Sequence, residues 1–192
     1  MHRIEVSEGI VLLKRPLGEA HTLVFVLTAK EGLLRAKATS TRAETSKLRY
    51  GLEPMTHARF SFVQGRYEWK LTGVEAMGRL LSERSDARAA AGRISKLLTR
   101  LIRGSQEGSA LFETVKEGLE LLAHADLPNT VASTECILVL RILAHLGYLP
   151  QTPALSPFVE GDFASAELAI SAQQSRAFLI RTINESLMQT GL

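Results

Sequence analysis

Cysteine is almost missing from this sequence, with Cys136 the single example. A lone thiol excludes an intramolecular disulfide and any cysteine-rich zinc site. Cys136 lies in an apolar, helix-like stretch and reads as a small buried hydrophobe. Long hydrophobic runs are missing too. The start, Met1-His2-Arg3-Ile4-Glu5-Val6-Ser7-Glu8, has no apolar core of signal-peptide length. The most apolar run, Ile137 to Leu146, is interrupted by Arg141 and His145 and is too short to span a bilayer. A soluble intracellular protein with no membrane partner is the expectation. The histidines, His2, His21, His57, His124 and His145, are scattered, and none falls in a metal-ligand spacing. No Gly-rich phosphate loop runs into Lys-Ser/Thr, and there is no nucleophile elbow and no conspicuous acidic pair. These absences argue against an enzyme and against a cofactor. Internal repeats and low-complexity segments are absent as well.

What is present is ordinary globular composition, 45% hydrophobic and 22% charged over 192 residues, enough for one good core or two modest ones. The net charge of +3 hides an uneven division. Residues 1–80 carry a net +5, residues 81–104 a net +4, and residues 105–192 a net −6. An anionic partner is therefore expected on the first half, with the acidic second half facing away.

The first half reads as strands. Ile10-Val11-Leu12-Leu13 is a buried strand that ends in the Lys14-Arg15-Pro16-Leu17-Gly18-Glu19 turn. His21 to Thr28 places Leu23, Phe25 and Leu27 on one face and Val24 and Val26 on the other. Apolar residues on both faces predict burial on both sides, as in a small barrel that also leans on another domain. Lys30-Glu31-Gly32 is a short turn, so Leu33 to Ala38 should pair back as a hairpin. Thr56 to Val63 alternates, with Ala58, Phe60 and Phe62 opposite His57, Arg59 and Ser61. After Gln64-Gly65-Arg66, residues Tyr67, Trp69 and Leu71 alternate with Glu68 and Lys70. Tyr67 and Trp69 share the phase of Leu71, which favours core over a base-stacking role. Five strands with short links make a five-stranded OB-type barrel the economical solution.

One link is long. Residues 39–52 hold Arg42, Lys47 and Arg49 among small hydroxylated residues, directly after Arg35 and Lys37. Few apolar neighbours are available to such cations, so the loop is either a solvated polar loop or a positive arm for a phosphate backbone. Arg59, Arg66 and Lys70 add charge to the wet strand faces.

From Ser85 the period becomes helical. Ser85 reads as a cap with Asp86 in the first turn. Ile94, Leu97, Leu98, Leu101 and Ile102 form an apolar stripe, with Arg93, Lys96, Arg100 and Arg103 as a basic ridge opposite. A second helix is expected from about Glu107 to His124, and a third from about Thr130 to Leu146, central to this half, with Gly147 behind it as C-cap. Pro150, Pro153 and Pro157 should stop regular structure. Ser171-Ala172-Gln173-Gln174 resembles a capping box opening a last helix, with Leu179, Ile183 and Leu187 as its buried stripe. The fold class is thus α+β, an OB-fold domain over 1–80 and an all-α helical domain over 81–192.

The motif order resembles the RecO family of bacterial recombination mediators. The residues that carry the likeness are Gly9-Ile10-Val11-Leu12, Gly18-Glu19, Leu23, Leu27-Thr28, Gly32, Leu34-Arg35-Ala36-Lys37-Ala38, Arg42, Lys47 and Gly51-Leu52-Glu53-Pro54. Later, Leu143-Ala144-His145-Leu146-Gly147-Tyr148 looks like the family's central helix and its exit. The resemblance implies an OB-fold joined to a helical domain, binding of single- and double-stranded DNA, annealing of complementary strands, and recombinase loading onto DNA covered by single-stranded-DNA-binding protein. Implied partners are a RecR-like clamp and that protein's acidic C-terminal tail; the implied location is the bacterial cytoplasm, at the nucleoid. Many relatives insert a four-cysteine zinc element after the central helix, whereas Gln151 to Gly161 has no cysteine, so metal binding does not carry over. Some relatives hold the acidic tail with arginines early in that helix, where this chain has Glu135 and Cys136. Arg100, Arg103 and Arg141 are the candidates to take their place. The expected phosphate contacts are Arg35, Lys37, Arg42, Lys47 and Arg49, extended by Arg59, Arg66, Arg93 and Lys96. The rival expectation is a protein-interaction module whose barrel and basic loop bind an acidic peptide or RNA.

Overall fold

Among the described residues, alternation of inward and outward side chains, broken at bulges, builds five strands, β1 (Arg3–Leu17), β2 (His21–Thr28), β3 (Gly32–Ala38), β4 (Thr56–Gln64) and β5 (Trp69–Arg79). The structure is a computed structural model that describes residues 3–39, 48, 50–66, 68–102 and 108–191. The strands close into a barrel in the order β1-β2-β3-β5-β4, antiparallel except where β3 and β5 run parallel. This is the expected OB-type barrel. Inside it pack Val11, Val24, Val26, Leu34, Ala36, Ala58, Phe60, Phe62 and Leu71. The Phe60 and Phe62 rings stack at 5.9 Å, and Trp69 meets Phe62 edge-on at 6.4 Å. Trp69 is therefore a core residue; Tyr67 lies outside the described residues.

β1 is much longer than the expected Ile10–Leu13 because two neighbours share it. Its first half pairs with β4 and its second with β2, and Gly9 is opposite both Ala58 and Thr28. The first half escapes pattern reading because its alternation is inverted. Ile4 and Val6 face solvent at 68% and 43% exposure, while Ser7 and Gly9 point inward. A side chain at Gly9 would sit 2.8 Å from Val26 Cγ1 and 3.2 Å from Phe60, so only glycine fits. β5 also outruns its pattern, continuing to Arg79 through its pairing with β4.

The Gly51-Leu52-Glu53-Pro54 step returns the chain to the barrel wall. Leu52 is buried in the core, and the Met55 amide donates to the Val11 carbonyl at 2.8 Å. Lys14 Nζ reaches Glu53 at 2.6 Å. The expected loop cations Arg42, Lys47 and Arg49 lie outside the described residues.

Among the described residues six α-helices follow: α1 (Ser85–Leu101), α2 (Ser109–Ala123), α3 (Pro128–His145), α4 (Ser156–Glu160), α5 (Ala166–Gln174) and α6 (Arg176–Gln189). α3 is the hub and packs on α1, α4, α5 and α6. Its side chains are buried nearly all round from Cys136 to Leu143. Behind it, Gly147 takes φ +75°, with its amide on the Ala144 carbonyl and the Tyr148 amide on the Leu143 carbonyl. That is a Schellman ending, as the glycine suggested.

Three local expectations are corrected. Ser85 is the first helical residue and not the cap; Arg84 holds the cap position without a side-chain capping bond, its guanidinium donating instead to the Asp86 carboxylate, and Asp86 Oδ1 accepts from the Ala87 amide at 2.9 Å. Pro157 does not stop structure, since it sits in the first turn of α4, where a missing N–H costs nothing. Ser171 opens no helix. It lies inside α5, whose cap is Ser165, accepting from the Leu168 amide. α6 starts only at Arg176 and buries Leu179, Thr182 and Ser186, leaving Ile183 and Leu187 half-buried. A single-residue break at Ser175 separates α5 from α6.

The chain divides into two compact units, Met1–Leu80 with Arg103–Phe112, and Leu81–Ile102 with Glu113–Leu192. The opening of α2 thus counts with the barrel. A Cβ on Gly108 would lie 2.8 Å from Gly32 Cα, and the Phe112 ring stands 6.4 Å from His57. Among the described residues no helix is long and apolar enough to cross a membrane.

Candidate nucleic-acid interface

The outer wall of β1, β2 and β3 carries a two-row grid. With Val24, Val26 and Ala36 pointing into the barrel, their strand neighbours must point out. Strand register then aligns Leu13, Phe25 and Arg35 in one row and Arg15, Leu23 and Lys37 in the next. A register shift between Val11 and Leu13 brings Leu13 and Arg15 onto this face. Arg15 and Arg35 are exposed, while Lys37, Leu23 and Phe25 are half-buried.

Both arginines lie over the Phe25 ring. Arg15 Cζ is 5.7 Å from its centroid and Arg35 Cζ 5.9 Å, which is cation–π range. This modifies the expectation that β2 is buried on both faces. Leu27 is fully buried, but Phe25 is half-buried, with guanidinium groups from the two flanking strands over its ring. Among the described residues Arg15, Arg35 and Lys37 have no carboxylate partner. Three cations on one uncompensated wall form a local positive field.

The opposite wall differs. On β4 and β5, Arg59 is 3.5 Å from Glu75, and its cross-strand neighbour Glu8 contacts His57 Nε2 at 2.6 Å. Cations and carboxylates alternate there, so the wall has no single sign. Arg66 is exposed in the β4–β5 turn.

In the helical unit, the expected basic residues have distinct fates. Arg93 donates from Nε and Nη2 to the two Glu135 oxygens at 2.6 and 2.7 Å, a bidentate pair that raises the arginine pKa. Lys96 and Arg100 are exposed on α1. Arg103 lies outside the described residues. Arg141 is buried at 8% exposure. It donates from Nε to the Phe158 carbonyl at 3.0 Å and from Nη2 to the Gly161 carbonyl, and lies 4.4 Å from the Phe163 ring centroid. Burial pushes its pKa down, with Glu117 and Asp162 opposing. Its donors hold the segment after α4 in place.

Arg15 and Phe25 were not among the candidates from sequence. The sequence put Phe25 on one face of β2 with Leu23 and Leu27, but which face turns outward and which arginines flank it depend on register, which the pattern of one strand does not contain.

Residues 1–78 match the family model described as "Recombination protein O N terminal". The chain is 30% identical over 151 residues to the DNA repair protein RecO of Heliobacterium modesticaldum, covering 78% of this chain and 54% of that protein. It is 32% identical over 149 residues to the DNA repair protein RecO of a Nocardioides species, covering 75% and 60%. With the RecO of Delftia acidovorans it shares 28% identity over 166 residues, covering 83% and 65%. The chain spans between about half and two thirds of the length of these relatives. The barrel topology, the family-model match over that barrel and these relatives agree, and over most of its length the chain is similar to DNA repair proteins of the RecO family.

Proposed function

We propose that this chain is a non-enzymatic DNA-binding protein of repair and recombination, acting in the bacterial cytoplasm at the nucleoid. The observation that carries the reading is the basic wall of Arg15, Arg35 and Lys37, without a carboxylate partner among the described residues, on the β1–β3 face of an OB-type barrel. Faces of this kind on OB-folds bind oligonucleotides. Arg42, Lys47 and Arg49, which follow β3 in the sequence, are assigned as further phosphate contacts, and Arg59, Arg66, Arg93 and Lys96 are secondary candidates. Arg93 would first have to release Glu135.

Positive charge that neutralises two phosphate backbones lowers the repulsion between them, which is the physical basis of strand annealing. The activity we assign is binding of single- and double-stranded DNA, annealing, and help in loading recombinase onto DNA covered by single-stranded-DNA-binding protein, together with a RecR-like clamp. For the acidic tail of the single-strand binder, Arg100 and Arg103 are the candidates, since Arg141 is engaged internally.

The test is fluorescence anisotropy of labelled single-stranded DNA over a range of salt. Replacing Arg15, Arg35 and Lys37 by alanine should flatten the slope of log affinity against log salt by about two, three phosphate contacts at roughly 0.7 each. An unchanged slope refutes the assignment of this wall. Tight capture of a short acidic peptide at the same wall, with no DNA binding at low salt, favours the protein-interaction reading. Competition by RNA of equal sequence separates RNA from DNA.

A further inference from the structure

We propose that Phe25 is a positioning residue that holds Arg15 and Arg35 as a preorganised phosphate clamp, so that this wall grips backbone and stacks no base. The inference deepens the DNA-binding reading above and rests on it. An aromatic side chain on an OB face has two possible uses, as a platform for a nucleobase or as an anchor for neighbouring cations. The geometry favours the anchor. Arg15 comes from β1 and Arg35 from β3, so the ring is approached from both flanking strands, at 5.7 and 5.9 Å from its centroid. Phe25 is itself only half-exposed in the sheet. A base could stack there only by displacing a guanidinium, which would give up a phosphate contact in exchange for a stacking contact.

The guanidinium group is suited to this arrangement. Attraction to a ring acts on its delocalised positive charge and leaves N–H donors available for phosphate oxygens. Because both groups lie within 6 Å of one centroid, they are near enough to serve adjacent phosphates of one strand. Ring contact also restricts two otherwise mobile side chains before DNA arrives, reducing the ordering cost of binding. With no carboxylate partner among the described residues, neither arginine has to leave an ion pair first.

The experiment compares oligo-dT with an abasic deoxyribose-phosphate oligomer of equal length, measured by anisotropy against wild type, Phe25→Leu, Phe25→Tyr and Arg15→Gln. The clamp predicts that wild type binds both oligomers within about twofold of each other, since both present the same phosphates. Phe25→Leu keeps an apolar group on the sheet but loses the ring. It should weaken both oligomers by the same factor, on the order of three- to tenfold. Phe25→Tyr should restore wild-type affinity for both, and Arg15→Gln, a surface change that leaves the sheet intact, should lower both together. Oligo-dT binding at least about tenfold tighter than the abasic oligomer, with that advantage lost in Phe25→Leu, overturns the inference and makes Phe25 a stacking platform. So does unchanged binding of both oligomers by Phe25→Leu. If wild type binds neither oligomer at low salt, the DNA-binding reading fails and this inference falls with it, an outcome distinct from the other two.

Discussion

Replacing Arg141 by methionine tests the internal bracing of the helical unit. Methionine matches much of the aliphatic length of arginine but cannot donate a hydrogen bond, so the Phe158 and Gly161 carbonyls lose the Nε and Nη2 donors that now reach them. Bonds from a charged donor contribute about 1.5–3 kcal/mol each. Contact with the Phe163 ring at 4.4 Å adds roughly 1 kcal/mol. Against this stands the cost of keeping a guanidinium buried, which the variant no longer bears and which cancels on the order of half of the gain. The net expected loss is about 3 kcal/mol. Urea unfolding followed by circular dichroism reads the helices, and Trp69 fluorescence follows the barrel separately. With a slope near 2 kcal/mol per molar, the helical midpoint should fall by roughly 1.5 M with no change in slope. Arg141→Lys should recover only part of the loss, because an ammonium is a point charge without the fork that spans two carbonyls. A loss below about 0.5 kcal/mol in Arg141→Met, or full rescue by lysine, refutes the bracing argument.

Glycine substitutions should have opposite signs at two positions. Gly108→Ala puts a Cβ 2.8 Å from Gly32 Cα and 2.9 Å from the Thr28 carbonyl, both backbone atoms that cannot move aside, so a thermal melt should show a loss of about 2 kcal/mol or more. Gly92→Ala, inside α1 with open space around it, should gain roughly 0.5–1 kcal/mol. Cys136 is buried and its thiol is pushed up to about 11 by that burial, leaving roughly 0.1% thiolate at pH 8. A thiol reagent should therefore label it only once urea unfolds the chain, and immediate labelling of native protein contradicts this. The Asp86 carboxyl is held below its ordinary 3.8, chiefly by its hydrogen bond from Arg84 and also by that from the Ala87 amide. Its stabilisation of the α1 start is thus present above pH 3.8 and lost as pH falls through the lower folded value. Amide exchange in the first turn of α1 should accelerate over that range in wild type, and an Asp86→Asn variant should lack this pH step.

Strands were legible wherever the barrel interior takes large side chains. Thr56 to Val63 and His21 to Thr28 were bounded nearly as the structure has them, because Phe60, Phe62, Val24 and Val26 point inward at every second position. The first half of β1 was not, because the interior opposite Phe60 has room only for Ser7 and Gly9, which puts Ile4 and Val6 on the wet side. Helix positions followed the same rule. The α1 stripe was readable from Ile94, Leu98 and Leu101, whereas the α5–α6 break rests on one residue, Ser175, which carries no helix-breaking signal of its own.

The candidate site marks the limit more sharply. Sequence shows where arginines are, and a helical or strand period shows which way they point, but neither shows whether each has already found a partner. Arg35, Arg93 and Arg141 all looked like candidates for an anion. Arg35 lies over Phe25, a neighbour set by strand register. Arg93 is closed by Glu135, which stands 42 positions away on another helix. Arg141 is turned into the protein by two carbonyls that no side-chain pattern records. Glu135 is the residue that removes Arg93 from the basic ridge. On α1 Arg88, Arg93, Lys96 and Arg100 are all exposed, but Arg93 is paired with Glu135, and the described members of the predicted ridge without a carboxylate partner among the described residues are Lys96 and Arg100. An anion meeting this face of α1 therefore finds less charge than a count of arginines and lysines suggests.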